Sequence, residues 1–143
     1  MIKASIVIPF HWMKNWRFFL NRCLDSIEKQ SFTDYEIILT HSGLMAANTN
    51  RAIQSARGEI IKILYLDDYL AHPKALENIV NNFKGKWLAT GCVHDYGDGE
   101  LKDPHIPKID GIIRDTISNT IGSPSVLAFE NKNPLFFDEK MGW

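Results

Sequence analysis

Residues 56–73 read Ala56-Arg57-Gly58-Glu59-Ile60-Ile61-Lys62-Ile63-Leu64-Tyr65-Leu66-Asp67-Asp68-Tyr69-Leu70-Ala71-His72-Pro73, and this stretch decides the fold. Ile60 to Leu66 is a short, nearly continuous apolar run rich in β-branched residues, the pattern of a strand buried on both faces. It ends abruptly in two carboxylates. On its N-terminal side Met45, Thr49, Ala52, Ile53 and Ala56 recur at helical spacing, and Gly58 stands where a helix C-terminus favours a left-handed residue. On its C-terminal side Pro73 can open a helix that Leu76, Ile79, Val80 and Phe83 continue on one face.

The same alternation extends outward. Ile6-Val7-Ile8 is an apolar run closed by Pro9, followed by a stripe of Trp16, Phe19, Leu20, Cys23, Leu24 and Ile27 with Asn15 at the N-cap position. Tyr35 to Leu39 reads as a second strand and Trp87 to Val93 as a fourth. Strands alternating with helices predict a Rossmann-like α/β fold, with a mostly parallel central sheet flanked by helices. Right-handed crossovers then point these strands the same way. From His94 to Asn119 the chain is polar and broken by Gly97, Gly99, Pro104 and Pro107, which predicts mainly loop. Ser125 to Phe129 reads as a further strand, and Phe136-Phe137-Asp138 as the start of a last short one.

Composition narrows the function. The 143 residues carry 16 Lys and Arg against 17 Asp and Glu, a net charge of −1 that argues against a dedicated nucleic-acid or anionic-membrane binder. With 45% hydrophobic and 23% charged residues the chain is an ordinary globular domain, and 1–143 reads as one domain. Cys23 and Cys92 are too few for a disulfide framework or a four-cysteine zinc site, and Cys23 falls on the buried stripe of its helix. No apolar run reaches the ~18 residues of a membrane span, and Pro9 and His11 interrupt the N-terminus too soon for a signal peptide. A cytoplasmic location is the expectation.

In an open parallel sheet, ligands bind outside the carboxyl ends of the strands. That rule selects Pro9-Phe10-His11-Trp12, Thr40-His41-Ser42-Gly43 and Asp67-Asp68. Two adjacent carboxylates at the end of an apolar strand repel each other, and a divalent cation relieves that repulsion. Hard oxygen ligands suit Mg²⁺ or Mn²⁺, ions that keep waters and also bind phosphate oxygens, which points to a nucleoside diphosphate. The alternative is a solvated acidic turn.

The ordered set Ile6-Val7-Ile8-Pro9, Phe19 to Ile27, Tyr35-Glu36-Ile37-Ile38, Ala56-Arg57-Gly58-Glu59-Ile60-Ile61 and Leu66-Asp67-Asp68-Tyr69-Leu70 with Pro73 resembles the nucleotide-binding half of a family 2 glycosyltransferase. Gly122-Ser123-Pro124-Ser125 and Phe137-Asp138-Glu139 extend the resemblance toward the end of the chain. It implies a GT-A fold and a nucleoside-diphosphate sugar, a UDP-sugar first, whose sugar is transferred with inversion to a glycan or other hydroxyl acceptor. By the same resemblance Asp67 faces the ribose and, with Asp68, forms the DxD-type metal site. Pro9, His11 and His41 lie on the nucleotide side.

Several positions depart from that pattern. The family's Asp pair after the second strand is replaced by Thr40-His41-Ser42, so His41 either hydrogen-bonds the base or is a solvated loop residue. The family's usual Arg in the second helix falls at Thr49, with Arg51 on another helical face. Phe10-His11-Trp12 replaces small polar residues, and packing is the favoured role for Phe10. The acidic motif that supplies the catalytic base in the family is expected just beyond Trp143, so Asp138 and Glu139 receive no base role and the chain reads as a donor-binding fragment.

Other readings compete less well. Cys92, His94, Asp95, Asp98, Asp103 and His105 gather metal-ligand residue types but match no standard zinc spacing. Gly122-Ser123-Pro124-Ser125 lacks the spacing and Lys of a phosphate loop. A phosphoacceptor domain would need its acid pair after the first strand. A non-catalytic nucleotide-binding or interaction module of the same fold remains the second expectation. Self-association through Phe136, Phe137 and Trp143 is a further one.

Overall fold

The structure, a computed structural model, describes residues 2–108 and 122–140. At its centre β1 (Ala4–Pro9) is buried along its whole length, as an apolar strand with neighbours on both sides and both faces must be. It pairs in parallel with β2 (Tyr35–Thr40), Ile6 opposite Ile37, and with β3 (Ile60–Ile63), Val7 opposite Ile63. The period of two then sorts its side chains. Ala4, Ile6 and Ile8 point to one face, where Cys23 and Ile27 of α1 (Trp16–Glu28) and Leu76 of α3 (Ala75–Asn82) meet them. Val7 points to the other, with Ile61, Ile63 and with Ala52 and Ile53 of α2 (Met45–Gln54). Each fully buried Ile contributes about 1.5–3 kcal/mol relative to exposure, so these two layers dominate the fold's stability.

β4 (Trp87–Ala89), β5 (Cys92–Asp95), β6 (Leu101–His105) and β7 (Leu127–Glu130) complete the strands among the described residues. The main sheet has the order β2-β1-β3-β7-β4. β7 is antiparallel to both β3 and β4, so β1 to β4 run in one direction, as expected, and the strand anticipated near residues 125–129 enters between β3 and β4 in the opposite sense. No helix among the described residues is long and apolar enough to cross a membrane.

Several local expectations are corrected. The fourth strand ends at Ala89, and the Thr90 N–H makes one further bond, to the Val126 carbonyl at 2.9 Å, where the facing segment is the turn 124–126. Cys92–Asp95 instead pairs with Leu101–His105 in a separate antiparallel hairpin, within what reads as loop. Pro104 is tolerated there because its pairing is irregular: the register shifts between Cys92 and His94, and neighbouring Asp103 has φ 51°. The part of that loop at 109–121 lies outside the described residues. β3 stops at Ile63, and beyond it the Tyr65 N–H is taken by the Ser125 hydroxyl at 2.8 Å. Asn15 stands at the N-cap of α1 with φ 62° and makes no side-chain cap bond.

Gly58 also has a different role from the one expected. Its φ is not positive; a Cβ there would lie 2.6 Å from Ala4 C and Ser5 N, so close approach of β1 demands the glycine. Phe136-Phe137-Asp138 forms no strand. Asn50 of α2 takes the place of a neighbouring strand, accepting from the Phe137 N–H at 2.8 Å and donating to its carbonyl at 2.9 Å. Phe136 is exposed, while Trp143 lies outside the described residues.

Candidate functional site

A cavity of about 1010 Å³ opens at the carboxyl end of β3. Its walls come from the loop after β3, the start of α3, β4 running into β5, the end of β6, and the turn 122–125. Asp67 and Asp68 both line it, which is where a strand that ends in two acids delivers them. Asp68 is half-buried, and the Ser123 hydroxyl reaches its Oδ2 at 3.4 Å. The exposed Asp67 carboxylate has no hydrogen-bond partner among the described residues.

Arg22 of α1 ties this loop to the β5–β6 hairpin. It donates from Nη2 to the Asp67 carbonyl at 2.7 Å and from Nη1 to Asp95 Oδ2 at 3.1 Å. Its guanidinium lies 4.6 Å from the centre of the Tyr69 ring, whose hydroxyl donates to the same Asp95 oxygen at 2.9 Å. The Gly97 N–H, then Tyr69 and Arg22, hold the Asp95 carboxyl below its usual range. Burial first, and then the Asp95 bond, raises the Tyr69 phenol.

Lys62 is the unusual resident of the cavity wall. It is 1% exposed, in β3 between β1 and β7, and it lines the cavity. Its ammonium donates to the Ser125 carbonyl, and among the described residues it forms no salt bridge. Burial pushes the amine down to about 7, against the opposing pull of Asp68. The sequence signal for Lys62 is the single cation inside the apolar run Ile60 to Leu66.

The tips of β1 and β2 form a second cluster. Pro9 is buried opposite Thr40, and Phe10 is buried against Trp16, stacked at 5.8 Å. His41 lies 5.5 Å from Phe10 and 5.2 Å from the exposed Trp12. His11 is half-buried, and its carbonyl accepts from Met13. Pro9, His11 and His41 are thus brought to one end of the sheet, but none of them lines the cavity that holds Asp67 and Asp68. Arg51, expected on another face of α2, nevertheless reaches the β2 tip and donates to both the Ser42 carbonyl and hydroxyl. Thr49 is buried and donates to the Met45 carbonyl at 2.8 Å.

The donor set of the acid pair fits a hard dication. Two carboxylates line the cavity, one without a hydrogen-bond partner among the described residues, and the remaining ligands would be water and phosphate oxygens. Among the described residues no three His, Cys, Asp or Glu side chains converge as a metal site. The zinc reading of the β5–β6 region therefore finds no support: Asp95 is taken by Arg22, Asp98 by Lys102 at 2.5 Å, and Asp103 by the Tyr96 hydroxyl at 2.9 Å.

No family model matches the sequence, and no curated protein does. Solved structures match over nearly the whole chain. S. aureus TarS 1–349 in complex with UDP aligns at a TM-score of 0.70 and 17% identity, over 98% of this chain and 51% of that one. A second structure of TarS 1–349 gives 0.71 at 17% identity, over 99% and 52%. The complex of TarS 1–349 with UDP-GlcNAc gives 0.66 at 17% identity, over 90% and 45%. The chain spans about half the length of these structures. The likeness shows the fold, which is the GT-A arrangement expected above.

Proposed function

We propose that this chain binds a nucleoside-diphosphate sugar, a UDP-sugar in the first instance, as the donor-binding part of a family 2-type inverting glycosyltransferase. The observation that carries the proposal is the placement of Asp67 and Asp68 on a large cavity at the carboxyl end of the sheet, in a fold shared with a protein solved with UDP and UDP-GlcNAc. In this reading Asp68, with Asp67, holds Mg²⁺ or Mn²⁺, and Asp67 also faces the ribose. When bound, the cation neutralises charge on the departing diphosphate. The chain's own part is to fix the acid pair. Arg22 anchors the Asp67 carbonyl, and Ser123 reaches Asp68 from the turn before β7. Fixed charge costs no reorganisation when the sugar–oxygen bond breaks. The acceptor is a glycan or another hydroxyl compound, and its base is not assigned to any residue of this chain.

Calorimetry with UDP and Mn²⁺ tests the reading. Binding that weakens on chelation, and by about tenfold or more in Asp68→Asn, about 1.4 kcal/mol or more, is expected. Absence of UDP binding with Mn²⁺ present would sink the proposal and leave an interaction module of the same fold.

A further inference from the structure

A buried charge is normally paired, since an unpaired one costs several kcal/mol. Among the described residues no carboxylate forms a salt bridge with Lys62. The neutral Ser125 carbonyl uses one of its three N–H donors and supplies no negative charge. Asp68 attracts the amine at a distance but does not form a salt bridge with it. No pressure of folding explains a lysine here, because the rest of the β3 strand is Ile60, Ile61 and Ile63 and a methionine would fill the same space. What distinguishes the position is that it opens on the cavity and lies beneath the turn that carries Ser123 and Ser125.

We infer that Lys62 is an anion subsite of this cavity, and that the missing negative partner of its ammonium arrives as an oxyanion of the ligand. The inference rests on the nucleoside-diphosphate reading above and deepens it. The cavity then offers two complementary sites: the acid pair, whose like charges a cation relieves, and the buried amine, whose protonated form an anion stabilises. Two ligand oxyanions have the right chemistry, the terminal phosphate of the nucleotide and a carboxylate carried on a uronic-type sugar. Either would complete a charge-assisted hydrogen bond to a buried amine, and low local dielectric strengthens such a bond.

The test measures the affinity of UDP, UDP-glucose and UDP-glucuronate, each with Mn²⁺ at slightly acid pH, for the wild-type chain and for Lys62→Met and Lys62→Gln. Loss of one charge-assisted bond is worth about tenfold or more in affinity. If the phosphate is the partner, both variants lose that factor for all three ligands. If a sugar carboxylate is the partner, they lose it for UDP-glucuronate alone. Either pattern supports the subsite. Unchanged affinities for all three ligands in both variants, with wild type binding normally, overturn it while leaving the function proposed above intact. Failure of the wild type to bind any of them sinks both. Thermal melts serve as the folding control, and Lys62→Met is expected to melt no lower than wild type because it removes a buried charge.

Discussion

Asn48 donates its side-chain amide to the Phe10 carbonyl at 3.1 Å, joining the buried face of α2 to the residue that follows β1. The same amide donates to the Thr40 carbonyl at 3.1 Å, and the Asn48 oxygen accepts from the Ser42 N–H at 3.2 Å. One fully buried side chain thus fixes the tips of two neighbouring strands and the loop that carries His41. Asn48→Ala is expected to orphan the Phe10 carbonyl and the Ser42 N–H, the Thr40 carbonyl keeping the Phe10 N–H, and to destabilise the protein by about 1–3 kcal/mol, read as a lower midpoint in urea unfolding. An unchanged midpoint would show that water takes over these bonds.

At the opposite end of the sheet Glu36 receives the Ser5 hydroxyl, the Arg57 N–H and the Arg57 guanidinium, all within 2.9 Å. Burial alone would raise the carboxyl, but these bonds outweigh it and hold it below the usual 4.5. The folded form therefore prefers the ionised acid more than the unfolded form does. Its contribution is fully present above about pH 4.5 and is lost as pH falls through the lower folded value. Glu36→Gln should flatten this part of the acid limb of a stability–pH curve, and an identical limb in the variant would contradict the assignment.

Gly58 tolerates no side chain, since a Cβ would meet backbone at 2.6 Å and could not be accommodated by a rotamer change. Gly58→Ala should destabilise by about 1–3 kcal/mol or more, with β1 and the start of β3 displaced from each other. Loss of the Ala4–Tyr35 and Ala4–Ile60 pairing in amide exchange would be the local signature.

The two thiols should separate cleanly. Burial, reinforced by Asp68, pushes the Cys23 thiol up to about 12, so it carries almost no thiolate at neutral pH. Cys92 is partly exposed on the cavity wall. A thiol reagent should modify Cys92 alone in the native protein and both thiols in denaturant. UDP with Mn²⁺ should slow the native reaction. Equal labelling rates with and without nucleotide would count against occupancy of this cavity.

The parallel core was legible because burial on both faces forces a continuous apolar run, and the turn to polar residues marks each strand end. The placement of Asp67 and Asp68 was legible for the same reason: their position at the end of Ile60 to Leu66 puts them on the cavity at the carboxyl end of β3. The β5–β6 hairpin was not, because a two-stranded ribbon with little core leaves its residues polar and hides the period of two. Nor did local pattern carry the sense of β7, which depends on its neighbours. Arg22, Asp95 and Tyr69 lie far apart in the chain, and only tertiary packing brings them together. Gly58 shows a different limit, since a glycine after a helix suggests a left-handed cap whether or not another strand presses against it.

The antiparallel insertion of β7 has a consequence for assembly. Among the described residues β4 pairs within the main sheet only with β7, and the Lys62 ammonium and the Tyr65 N–H both find their partner in Ser125. A nascent polypeptide emerging from the ribosome can therefore register its first three strands early. The edge of the sheet and the floor of the cavity must wait until residues 125–130 have been synthesised, and such distant pairings close slowly. The closed cavity should accordingly appear only after α1, α2 and α3 have docked on the first three strands.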